Sequence, residues 1–382
     1  MTRIPFALLV SVTLTGSAHA QVDVLRTPNR GIQPQAIMDA NGTLHLLYFD
    51  RDPKAGNLMY VRRDAGKTDF SAPIRVNSQE GSAIAVGSIR GGQLALGKNG
   101  RVHVAWNGSG KAEPKNPISG APMMYARLND KGDAFEEQIN LMTHSYILDG
   151  GGALTADTQG NVFVAWHALG KDDDRGEHNR KVWVAISKNE GKTFAAEKPA
   201  WSEPTGACGC CGMRGFTDRK GNAFFLYRGA GAKINRGMYA LKSTDQGKSF
   251  AGQQLDNWRI ETCPMSSEGF AEGPRGVYAA WDNEGQIFFS LTQSPLAANV
   301  PVIAAPGNSG NRRHPALAFN KKDEMILVWT EGTGWMRGGS LHWQVYDKNF
   351  TPTDAGRRPG AIPVWGLPAV VAEADGRFTI LH

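Results

Sequence analysis

The chain has 382 residues, 46 of them Gly and 20 Pro, with a formal charge of +6. No segment reaches the ~18 continuous apolar residues of a membrane helix, and there is no Lys/Arg run of the kind a nucleic-acid binder carries. A mild positive bias remains, which favours anionic partners through long-range attraction.

Residues 1–20 read as a leader: Arg3, an apolar stretch at 4–14, then Ala18-His19-Ala20 as a small-x-small cleavage site. Cleavage near Ala20/Gln21 predicts a periplasmic or secreted product of charge +5, because Arg3 is the only charge removed. Residues 21–382 then form one domain, since a single repeat runs from end to end.

That repeat is a turn residue followed by an alternating apolar run. It begins at Gly42, Gly100, Gly160, Gly221, Gly276, Glu324 and Gly376, so that successive starts lie 58, 60, 61, 55, 48 and 52 residues apart. The period is that of a four-stranded propeller blade and not of a helical repeat. In the third copy, 152–155 reads as the innermost strand, 161–166 as the second, 181–187 as the third, and 194–198 as the start of the outer one. The predicted fold class is all-β, a single propeller of seven blades, with six as the alternative. Residues 368–381 supply only two strands, so residues 22–27 are expected to join them and close the ring, leaving no free sheet edge.

Between third and outer strands lie Ser187-Lys-Asn189-Glu-Gly191-Lys-Thr-Phe194 and Ser243-Thr-Asp245-Gln-Gly247-Lys-Ser-Phe250, with a weaker copy at Asp130, Gly132 and Phe135. Each should form a hairpin in which a short polar side chain folds back on the backbone, Gly takes a positive φ and the aromatic plugs the space between sheets. These phrases match the Asp-box pattern. Through them residues 21–382 resemble the sialidase-like propeller superfamily with bacterial-neuraminidase repeats. The resemblance implies that the boxes lie at the rim, away from any site. It also implies exo-α-sialidase-type glycoside hydrolysis as one activity of the scaffold, although many carriers of the boxes do not cleave sialic acid.

In a propeller, the loops leading from each outer strand to the next innermost strand ring the channel mouth, the usual place for a site. Those loops hold Arg30 and Gln33; Arg90; Asp149; Cys208, Cys210, Cys211, Met213 and Arg214; Cys263, Met265 and Glu268; Arg312, Arg313 and His314; and Trp365. Loops after the second strands add His167, Tyr227, Arg228 and Asp282 on the same face. By resemblance to sialidases, Arg30, Arg90, Arg214 and Arg313 would hold a substrate carboxylate bidentately. Asp149 would be the acid and Tyr227 a nucleophile partnered by Glu268. His314 and Trp365 would complete the substrate contacts, Trp365 as a ring that stacks on a sugar. An anionic glycan is the expected ligand, a monomer the expected state, and no cofactor is required. A non-catalytic binding propeller is the alternative.

Two readings stand for the cysteines. In an oxidising compartment Cys208 or Cys210 would bond to Cys263 and staple neighbouring loops, worth roughly 3–4 kcal/mol by chain entropy. Alternatively the thiolates, with Met213 and Met265 as thioether donors and His314 or His167 nearby, would suit a soft metal, copper(I) before zinc, in a metal- or redox-handling protein. Trp106, Trp166, Trp281 and Trp329 end second strands at equivalent positions and read as packing between blades. His45 and His103 read as satisfied strand histidines, and Asp172–Asp174 as a solvated acidic loop.

Overall fold

The computed structural model describes residues 20–87, 89–232, 234–292, 301–308 and 310–382; residues 1–19 of the expected leader lie outside them. Seven sheets follow one another in sequence. Alternation of apolar and small residues makes each second strand a ribbon with two buried faces, because a blade packs against a neighbour on both sides. In blade 3 the strands are Gly152–Ala156, Val162–Gly170, Lys181–Ser187 and Lys198–Pro199, each antiparallel to the next. Blades 1, 2, 4, 5 and 6 repeat this order, and the six-bladed alternative is excluded.

Blade 7 has three strands, Ala369–Ala372, Phe378–Leu381 and, from the N terminus, Val22–Leu25. Val22–Leu25 lies parallel to Phe378–Leu381. The direction has a simple cause. Every innermost strand starts at the mouth, so the segment feeding blade 1 must also finish there, and the second strand of a blade runs that way. The expected ring closure is therefore present, with the third strand of the blade omitted.

The buried apolar side chains divide into seven clusters, one at each junction between adjacent blades. Trp106, Trp166, Trp281 and Trp329 are buried at four of these junctions. His45 and His103 each place Nδ1 2.7 Å from a tyrosine hydroxyl of the adjacent strand, Tyr60 and Tyr125. In the turn between the third and outer strands of blade 4, the Gly247 N–H donates to Ser243 Oγ at 2.8 Å and the Ser249 N–H to Asp245 Oδ1 at 3.0 Å. Asn189 makes the same turn, accepting from the Thr193 N–H at 3.0 Å, while the Gly191 N–H donates to Ser187 Oγ at 2.9 Å. Phe194 then packs edge-on against Tyr125 of blade 2, centroids 4.8 Å apart.

Gly191 shows why that turn demands glycine. Its φ is +77°, and a Cβ there would fall 1.7 Å from the Tyr125 hydroxyl. Gly191→Ala is expected to cost about 2–3 kcal/mol, combining left-handed strain with displacement of Tyr125. Urea unfolding of the variant checks this, and a loss under 0.5 kcal/mol, about the scatter of neutral surface changes, would contradict it.

Candidate functional site

The loops before the innermost strands lie side by side at the mouth, and they hydrogen-bond to one another around it. Gln33 Nε2 donates to the carbonyls of Ala85 (2.7 Å) and Trp365 (3.1 Å). Arg90 donates from Nε to the Asp149 carbonyl at 2.7 Å and from Nη2 to Asp149 Oδ1 at 2.6 Å. The Gly150 N–H meets the Gly209 carbonyl and the Gly212 N–H the Ser266 carbonyl, both at 2.8 Å. Ser267 Oγ and His314 Nδ1 are 3.0 Å apart. From blade 4, Arg214 reaches across the channel to Gln35 of blade 1 and to Gln93 of blade 2 (3.0 Å), while its Nε holds the Glu268 carbonyl at 3.1 Å.

The mouth is thus closed over rather than open. A cavity of about 810 Å³ lies on the far side of Arg214, lined by all seven innermost strands and rimmed by Asp39, Arg219, Lys321 and Asp323. Of the expected site residues only Arg214 lines it. Most of the others belong to the loops that form the lid. Arg30, Gln33, Met265, His314 and Trp365 have φ between +50° and +58°, and such strained non-glycine residues gather where structure is shaped by function rather than by stability.

The cysteine loop is the densest part of this lid. Cys210 is bonded to Cys263, 53 residues away, so the staple resolves to Cys210. Cys208 and Cys211 are free and buried. Cys208 Sγ lies 3.3 Å from Cys210 Sγ and 3.1 Å from Cys211 Sγ, and the three sulfurs fall within 4.8 Å of one another. Burial raises the Cys211 thiol, but its hydrogen bond with Cys208, the Arg228 guanidinium and the Ser266 hydroxyl and N–H outweigh this and bring it below its ordinary range. Cys208 is raised by that same hydrogen bond and by burial.

Beneath the loop, Arg228 is the hub. Its Nε donates to Ser266 Oγ at 2.8 Å, Nη1 to the Arg236 carbonyl at 2.7 Å and Nη2 to the Asp282 carbonyl at 2.5 Å. Its guanidinium lies over the Trp258 ring at 4.9 Å, and the Asp282 carboxylate is 3.9 Å away. Glu268 is fully buried, with neither carboxyl oxygen hydrogen-bonded. Burial, then the charge of Cys211, push it well above the usual carboxylate range. Burial likewise pushes Asp282 up to about 6 and His167 down to about 4.

Asp282 yields a pH prediction. A carboxyl raised in the folded state costs nothing below its unfolded value near 3.8, and the cost grows as pH climbs to about 6. Two units correspond to about 3 kcal/mol. Relative to the native chain, Asp282→Asn should therefore gain about 3 kcal/mol between pH 4 and pH 7.5. Parallel stability curves for the two proteins would refute it.

The three expected catalytic residues lie in different surroundings. Tyr227 turns toward the junction of blades 3 and 4, its ring stacked on Tyr239 at 5.5 Å and its hydroxyl 2.8 Å from Thr205 Oγ1. Strand alternation sends it there, and burial raises its hydroxyl far above the ordinary value. Glu268 sits under the lid. Asp149 is part-exposed and ion-paired with Arg90 and, at 3.7 Å, with Arg180. Arg30 is exposed, and Arg313 is half-buried with Nε on Asn311 Oδ1 at 3.1 Å. Met213 is buried, whereas Met265 joins Arg313, His314, Thr333, Arg337 and Trp365 around a shallow dimple.

Sequence reading missed Trp335 and Met336, which are 49% and 63% exposed. Trp335 stands edge-on to Trp365, centroids 6.0 Å apart. The signal was available: two bulky apolar residues in Gly334-Trp335-Met336-Arg337-Gly338, where a solvated turn calls for polar ones. Also missed were Arg180, Arg236 and Glu177. Glu177 accepts from the Gly209 N–H and from Arg236, both at 2.7 Å, and so braces the cysteine loop from below.

No family model matches the chain and no curated protein matches it in sequence. Solved structures match in shape. A protein of unknown function from Dyadobacter fermentans has a TM-score of 0.52 at 16% identity, covering 88% of this chain and 97% of its own. The Hadza microbial sialidase Hz136 has 0.53 at 14%, covering 84% and 70%. A GH93 α-L-arabinofuranosidase of Fusarium graminearum, solved with arabinobiose, has 0.52 at 14%, covering 83% and 94%. At such identities the likeness is one of architecture, and the chain has the fold of the sialidase-like propellers, here built from seven blades.

Proposed function

We propose that this chain is an exported propeller that binds an acidic carbohydrate on its mouth face and does not cleave it. The observation that carries the reading is the exposed Trp335 set edge-on at 6.0 Å to the half-buried Trp365, with Arg313 and Arg337 around the same dimple as Trp365. A flat apolar ring beside guanidinium groups suits a sugar that bears a carboxylate. Structural neighbours that act on carbohydrates, a sialidase and an arabinofuranosidase, support the ligand class. Binding in preference to hydrolysis follows from Tyr227 and Glu268, since a nucleophile and its acid must both touch the substrate.

Titration with sialyllactose and with oligogalacturonate, followed by tryptophan fluorescence, tests the reading. Trp365→Ala should weaken binding about tenfold and Arg313→Ala about 10- to 100-fold, the worth of a charge-assisted hydrogen bond. A fluorogenic sialoside should remain intact. Saturable binding that survives both substitutions would sink the proposed place, and turnover would sink the non-catalytic reading.

A second reading is favoured by the three sulfurs within 4.8 Å. Once Cys210–Cys263 is reduced, Cys208, Cys210 and Cys211 offer a donor set for copper(I) ahead of zinc. Metal retained through desalting by the reduced chain, and not by a Cys208→Ser chain, is its test.

A further inference from the structure

Two observations about the cysteines sit oddly with a purely structural role. A staple needs two of them, yet two more are held as thiols in line with it, Cys211 3.1 Å from Cys208 and Cys208 3.3 Å from the bonded Cys210. They also differ in reach. Cys208 and Cys211 are buried, Cys210 is half-buried and Cys263 is exposed, so nothing outside the molecule can touch the thiols except through the disulfide.

We propose that the four cysteines form a two-electron relay, in which the buried dithiol Cys208/Cys211 exchanges electrons with a disulfide on another protein through the surface pair Cys210–Cys263. Cys208 passes its proton to Cys211, 3.1 Å away, and attacks Cys210 Sγ; the Cys208–Cys210 bond forms, the Cys210–Cys263 bond breaks, and Cys263 leaves as a thiolate on the surface. That thiolate attacks the incoming disulfide, giving a mixed disulfide and one partner thiolate. Cys211 attacks Cys208, which closes Cys208–Cys211 and releases Cys210. Cys210 then attacks Cys263 in the mixed disulfide, restoring Cys210–Cys263 and freeing the second partner thiolate. Net of these transfers, the protons of the dithiol end on the two partner thiols. The buried dithiol is oxidised, the partner disulfide is reduced, and the same steps in reverse recharge the site from a donor dithiol.

The surroundings fit exchange at this place. Gly209 and Gly212 are tied by backbone hydrogen bonds to Gly150 and Ser266 in the flanking loops, which holds the sulfurs in register while bonds move among them. Arg228 and Arg236 stand beside the thiols, so negative charge developing on a buried sulfur meets guanidinium groups rather than an apolar wall.

The test uses the full chain with glutathione disulfide as the probe, followed by acid quenching, alkylation and peptide mass mapping. Wild type should begin with Cys210–Cys263 and two free thiols, release two glutathione thiols per chain, and end with Cys208–Cys211 formed beside an intact Cys210–Cys263. Cys208→Ser keeps the staple and should release none. Cys211→Ser also keeps it and should stall with one glutathione on Cys263 and a Cys208–Cys210 bond, a product no static arrangement gives. A Cys210→Ser, Cys263→Ser double variant should form Cys208–Cys211 at least about tenfold more slowly, its port removed. The proposal is overturned if wild type has no free thiols at the outset or releases no glutathione thiol. Glutathione found on Cys208 of the Cys211→Ser chain, or an unslowed double variant, overturns it as well. Inert thiols together with metal held by the reduced chain would assign the cluster to metal instead.

Discussion

Arg228→Met is expected to destabilise the protein by about 3–5 kcal/mol, the range for removing one partner of a buried charged network. Methionine replaces the arginine's aliphatic stem and not its guanidinium, so the loss would come from the polar groups and the space left behind. Ser266 Oγ and the carbonyls of Arg236 and Asp282 lose their donor. Asp282, Glu268 and Cys211 lose the cation that opposes the cost of their burial. Urea unfolding at pH 7.5 reads the loss directly. The pH profile supplies a second readout, since Asp282 without Arg228 must hold its proton to higher pH, and the fall in stability that begins near pH 4 should extend past pH 6. A loss below about 1 kcal/mol with an unchanged profile would show that the hub is dispensable.

Cys263→Ser should cost a similar amount by another route. The bond to Cys210 joins residues 53 apart, and closing a loop of that length lowers the entropy of the unfolded chain by about 4 kcal/mol. The folded state changes little, because the Gly212 N–H still meets the Ser266 carbonyl at 2.8 Å. The denaturation midpoint should fall in proportion, while Arg228→Met and Cys263→Ser differ in kind: reductant should abolish the difference between wild type and Cys263→Ser and leave that of Arg228→Met intact. Equal midpoints for oxidised wild type and Cys263→Ser would mean that the staple is not formed in solution.

These expectations draw on different layers of information. Blade number, the order of strands within a blade, the rim turns at Ser187–Phe194 and Ser243–Phe250, and the gathering of cysteines, Arg90, Arg313 and Trp365 on one face were all legible in the amino-acid order. They depend on period-two alternation, on turn chemistry and on the fixed up-and-down path of a blade, each of which acts over a few residues and repeats. Strand direction in blade 7 was half legible: the need for a strand from Val22–Leu25 could be read, and its parallel pairing with Phe378–Leu381 follows only from where the next strand must begin.

What the sequence could not decide is how the loops meet. Gln33 bonds Ala85 and Trp365, Arg214 bonds Gln35 and Gln93, and Cys210 rather than Cys208 bonds Cys263, through contacts spanning 52 to 332 residues. Loop backbones obey no period, and each contact depends on how far two neighbouring blades rotate about the channel. Loop packing sinks Glu268 beneath the lid. It also lifts Trp335 beside Trp365. Repetition in the sequence therefore determined the scaffold and gathered these residues on one face, because local hydrogen bonding and alternation dictate both. Only tertiary packing decided which residues on that face are buried, bonded or open to a ligand, because non-local contacts between loops set their environment.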